Sequence, residues 1–159
     1  MTEGRKHAPP ALYLLFTLVL FQSLGGTGGG SWLLADTSGR LIGFSVSLLD
    51  HTPFRSFLIP GLVLFLALGV FPLGLLYPLL KRPNWPWANA LNCYRDKHWA
   101  WTYSLYLGIM VVLWIDFQIL FVGYIHVLQT IFAFVGVSII VLSLLPSVQR
   151  WYTVESSNN

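Results

Sequence analysis

Four long apolar runs separated by short polar connections constrain this chain more than any motif within it. A helix needs about 20 mostly apolar residues to cross about 30 Å of hydrocarbon. Runs at about 10–30, 53–80, 99–121 and 125–145 meet that requirement. The expected fold is therefore all-α, a four-transmembrane-helix bundle within a single polytopic membrane domain over 1–152. A polar, disordered tail over 153–159 follows it. Composition points the same way. Charged residues are 9% of 159 and apolar residues 55%, against about 25% charged in ordinary soluble domains. Mean hydropathy is +0.67. A soluble chain this short leaves too much of its surface wet to hide so much apolar area.

The first run follows Pro9-Pro10 and has Arg5 and Lys6 before it, as a signal peptide would. Three more spans follow and no small-x-small cleavage site is evident, so a retained helix is expected. In the second run Thr52 is placed to cap a helix with Pro53 at its first position. Pro60, Pro72 and Pro78 lie inside that run and predict a kink or a broken end, with neighbouring groups taking up the freed carbonyls. The third and fourth runs are joined by a few residues around Gly123, which makes them antiparallel neighbours.

The basic residues set an orientation. Arg5, Lys6, Lys81, Arg82, Arg95, Lys97 and Arg150 fall on one side, and only Arg40 and Arg55 on the other. The positive-inside rule then puts both termini and the 81–98 loop in the cytoplasm of a multi-pass cell-membrane protein. Trp85, Trp87, Trp99, Trp101 and Trp151 gather at the same face, where an aromatic belt accounts for them.

Residues 25–55 are the least ordinary stretch. Gly25, Gly26, Gly28, Gly29 and Gly30 allow close backbone approach, or an early end to the first helix. Asp36-Thr37-Ser38-Gly39 has the form of a turn. Ile42, Phe44, Val46 and Leu48 then alternate with small residues, a period of two. A short β-hairpin and an interfacial amphipathic helix both fit; the reading leans to a hairpin-like turn followed by a short helical turn.

The pattern Gly25-Gly26, Asp36-x-Ser38-Gly39, Leu48-Leu49, Thr52-Pro53-Phe54 and Leu58-Ile59-Pro60-Gly61 resembles the first outer loop of small bacterial four-helix integral membrane proteins. The likeness extends to His126-x-x-Gln129 and Leu145-Pro146. That group has no established activity, so the resemblance implies an architecture and carries over no functional residue.

Asp116 is the only acidic residue inside an expected span, and a buried charge there needs a reason. Tyr124, His126 and Gln129 follow at the same end, and Asp50 and His51 in the first outer loop can reach it. These six residues form the candidate polar cluster. Asp116 with His126 suits a proton relay or a polar headgroup; the alternative is that Asp116 pairs with Arg55 or His126 and only fixes packing. No metal is expected, since three or four converging ligands are absent. No GxSxG or phosphate-loop ending is present either. Cys93 stands alone, which excludes an internal disulfide. No cofactor is implied. Nine scattered basic residues do not make a phosphate-tracking patch, so no nucleic acid is expected. Membrane lipid, a membrane protein partner or a homo-oligomer are the expected partners. A non-enzymatic membrane protein that binds lipid or protein is the leading reading. A small proton-coupled transporter using Asp116 and His126, or a membrane enzyme acting on lipid or quinone, are the alternatives.

Overall fold

A computed structural model of the protein describes residues 7–154. Arg5, Lys6 and the Ser156–Asn159 tail lie outside the described residues. Four helices are long and apolar enough to cross a membrane: α1 (Pro10–Ala35), α2 (Leu58–Lys81), α3 (Trp99–Val122) and α4 (Val127–Leu144). A short helix, α5 (Pro146–Tyr152), follows α4. Among the described residues no strand forms.

The helices form a ring in the order α2, α1, α4, α3, closed by a thinner contact of α3 with α2. Buried positions on α1 (Leu12, Leu15, Val19, Gln22, Ser23, Gly26, Gly30 and Leu33) recur at intervals of three and four and so share one face. Its other faces carry exposed Tyr13, Leu14, Phe21 and Leu24, a pattern suited to hydrocarbon rather than water.

α1 does not end at its glycines; it runs through them, because a second backbone lies against them. A Cβ on Gly26 would collide with the Leu68 backbone, and one on Gly30 would sit 2.5 Å from the Phe65 nitrogen. Between α3 and α4 the approach is reciprocal. A Cβ on Gly108 would lie 3.0 Å from Gly136 O, and one on Gly136 3.1 Å from Gly108 O. Small residues at such crossings let helix backbones touch.

The prolines of α2 act in two ways. Pro60 sits in the first turn, where a missing N–H is harmless. Pro72 has no N–H for Leu68 O, and the turns before it widen: Val63–Val70 is π-helical, with the Phe71 N–H reaching back to Leu66 O. Leu68 O instead accepts from Gln22 Nε2 (3.3 Å), and Gly69 O from Ser23 Oγ (2.9 Å). The freed carbonyl thus finds its donor on the neighbouring helix.

The outer loop differs from the hairpin reading. Two 3₁₀ turns, Arg40–Ile42 and Val46–Leu49, replace strands. Gly39 and Gly43 take left-handed φ of 79° and 73°, which folds the chain back on itself before a strand can extend. Asp36 organises the turn. Its Oδ1 accepts from Ser38 N (3.0 Å) and Ser38 Oγ (2.6 Å), and its Oδ2 from Leu41 N (3.1 Å). These bonds, Ser38 foremost, hold the carboxyl below its ordinary pKa. Thr52 does not cap α2, which starts at Leu58. Its hydroxyl bonds within the loop, to Leu49 O and from Phe54 N.

Candidate functional site

The six residues singled out from the sequence stand at the loop end of the bundle, and their bonding is local. His126 is the N-cap of α4, where its Nδ1 accepts from Leu128 N (3.2 Å). Gln129 completes the cap: Oε1 accepts from Ile125 N (2.8 Å) and His126 N (3.2 Å), and Nε2 donates to Gly123 O (3.2 Å). Gln129 is buried by this work, and it closes the sharp α3–α4 turn. Tyr124 OH accepts from Thr130 Oγ1 (3.0 Å). Asp50, His51 and Asp116 are exposed. Among the described residues the one side-chain ion pair is Lys97–Asp96 (3.0 Å), so Asp116 is paired with neither Arg55 nor His126. No group of three metal-binding side chains assembles among them.

Beside this end, between α2 and α3, lies an apolar groove of about 340 Å³ walled by Phe54, Val63, Leu68, Met110 and Trp114.

The opposite, tryptophan-rich end is built differently. It carries a stack of rings, exposed at Trp87 and Tyr77 and buried at Trp99: Trp85 lies 5.6 Å from Trp87 and 5.4 Å from Trp99, and Tyr77 6.3 Å from Trp85. The connection 82–98 is clamped beneath by long-range hydrogen bonds. Pro83 O accepts from Trp99 Nε1 (3.1 Å) and is bonded to His98 Nε2 (3.0 Å). The His98 N–H donates to Tyr152 O (2.8 Å), and Tyr152 OH to Leu79 O (2.5 Å). Thr153 and Val154, which the sequence places in the tail, pair with this connection through a Lys97–Thr153 bridge and a Val154 N–H to Asp96 O bond.

His98 is also the N-cap of α3. Because its Nδ1 accepts from Ala100 N (3.2 Å), the ring is neutral with its proton on Nε2, donated to Pro83 O. Burial lowers its pKa below the usual imidazole value; the Pro83 bond acts the other way and the Arg82 charge adds to the lowering. Burial likewise pushes the Tyr152 phenol far above its ordinary value, with the Arg82 charge acting in the opposite sense. Arg82 takes a left-handed φ of 47°, the one non-glycine residue to do so among those described. Its guanidinium lies 4.3 Å from the centre of the Trp151 ring, and Nη1 donates to Trp151 O (2.9 Å).

Lys81, Arg82, His98, Tyr152, Thr153 and Val154 line a cleft of about 280 Å³. Two cations border it, and no acidic residue does among the described residues. In the sequence the two cations read as orientation signals and the neighbouring indoles as a belt. That α5 brings Tyr152 and Thr153 back to Lys81 has no local signature.

Fold and cleft together define a helical bundle with four helices apolar enough to cross a membrane and a polar recess at one end. No protein-family model, curated protein or solved structure matches the chain.

Proposed function

We propose that the protein acts by binding a membrane component, lipid or protein, at its tryptophan-rich end, and that this end faces the cytoplasm. The supporting observation is the cleft among Lys81, Arg82, His98 and Tyr152, set beside stacked indoles. Indoles favour the headgroup layer, and basic residues favour the cytoplasmic side of a bilayer. The polar side chains of the loop end support the same reading from the other direction. Gln129 and His126 close a turn there, while at mid-bundle Gln22 and Ser23 bond to the carbonyls of Leu68 and Gly69.

Native mass analysis of the protein gently extracted from its own membrane tests this. The expected result is a lipid or protein retained in fixed stoichiometry. A bare monomer that nevertheless turns over or transports a solute contradicts it.

A further inference from the structure

The cleft at the tryptophan-rich end has the charge, the donors and the setting for one class of ligand. Lys81 ends α2 and is exposed, and among the described residues its ammonium donates to no acceptor. Arg82 is pinned by Trp151, yet only Nη1 is engaged there; Nε and Nη2 bond to nothing among the described residues. Its left-handed backbone is a conformation that a side-chain-bearing residue avoids. The guanidinium lies over the Trp151 ring, at the edge of the cleft. Two cations, with no acid among the described lining residues, suit an anionic group, and arginine and lysine are both phosphate-recognising side chains. The volume of about 280 Å³ is near the lower limit of small-molecule sites, about 300 Å³. That is room for a headgroup, not for a chain.

We infer that this cleft binds a phosphate group, with Lys81 and the free edge of Arg82 as its donors, supplied by an anionic phospholipid headgroup or by free phosphate. The inference rests on the reading that this end of the protein binds a membrane component. It goes further in naming the ligand chemistry and the two side chains that recognise it.

The test uses the whole protein in nanodiscs of phosphatidylcholine, with and without phosphatidylglycerol, and counts bound lipid by native mass spectrometry. A parallel arm adds inorganic phosphate to phosphatidylcholine nanodiscs and follows tryptophan fluorescence. Wild type should hold phosphatidylglycerol in preference to phosphatidylcholine. Lys81→Gln should weaken that preference about tenfold or more, the loss of one hydrogen bond to a charged group. Arg95→Gln removes the same charge outside the cleft and should leave the preference unchanged. Lys81 is exposed, so its variant keeps the test valid even if Arg82→Gln disturbs packing on Trp151.

A fluorescence response to inorganic phosphate that Lys81→Gln weakens, without phosphatidylglycerol preference, supports the site and makes its source soluble. Equal losses in Lys81→Gln and Arg95→Gln, or no response in either arm, overturn the inference. A lipid or protein retained regardless of Lys81 overturns the phosphate cleft alone. Retention of nothing at all overturns the binding reading with it.

Discussion

Gln22 of α1 donates its amide to Leu68 O of α2 at 3.3 Å, the carbonyl that Pro72, four residues further on, has no N–H to satisfy. The helix break and its repair thus lie on different helices, and the pair ties the register of α1 to that of α2.

This relationship predicts coupling. Gln22→Leu removes this donor to Leu68 O, at a cost of about 1 kcal/mol. Part of that is offset, because Gln22 Oε1 has no partner among the described residues. A Pro72→Ala change that returns this turn to α-helical register supplies an N–H to Leu68 O, and Gln22→Leu should then cost much less. A double-mutant cycle on unfolding in detergent measures the difference; strictly additive effects would refute the pairing.

The glycines of α1 are not equivalent. Gly26 backs onto the Leu68 backbone, whereas a Cβ on Gly28 meets nothing within 4 Å. Gly26→Ala should therefore destabilise by about 1–3 kcal/mol through overpacking. Gly28→Ala should be neutral or stabilising by up to about 1 kcal/mol, as alanine is the better helix former. Thermal unfolding of the two variants side by side decides it.

His98 makes the tryptophan-rich end sensitive to acid. Folding holds its pKa below the unfolded value of 6.5, so the folded protein binds that proton less readily than the unfolded chain. The packing it supports is fully present above 6.5 and is lost as pH falls from there through the lowered folded value. Tryptophan fluorescence should report this loosening. His98→Asn keeps an acceptor for the Ala100 N–H but cannot titrate, and the transition should vanish in it. An unchanged transition would assign the effect to another group.

Asp116 is exposed and unpaired among the described residues, so Asp116→Asn should leave the melting temperature unchanged. Lost expression in that variant would show that the carboxylate holds the fold after all.

The four spans were legible because each is a nearly continuous apolar run, and a bilayer demands little else of a helix. The contacts between them were legible only in part. The glycine run announced a close approach, and the prolines announced freed carbonyls, but nothing near Gln22 names Leu68 as its partner, 46 positions away. Alternation over Ile42, Phe44, Val46 and Leu48 suggested extended chain; the left-handed glycines at 39 and 43 overrode it. At the candidate site, Asp116 and His126 stood out as polar residues in apolar surroundings. His126 proved to be a helix cap, a role that His126-x-x-Gln129 spacing can signal when the first residue is a side-chain acceptor. The basic cleft was hidden because its walls come from positions 81–82, 98 and 152–154, which only the packing of α5 brings together.

Side-specific labelling tests whether this bundle spans a membrane with its tryptophan-rich end in the cytoplasm. Cys93 is the single cysteine and is exposed in the connection between α2 and α3. An impermeant maleimide should label it in inverted vesicles and not in intact cells. In a Cys93→Ser background, His51→Cys at the other end of α2 should show the reverse. Labelling of both positions from one side would mean that α2 does not cross, and the account of the fold in a membrane would be wrong.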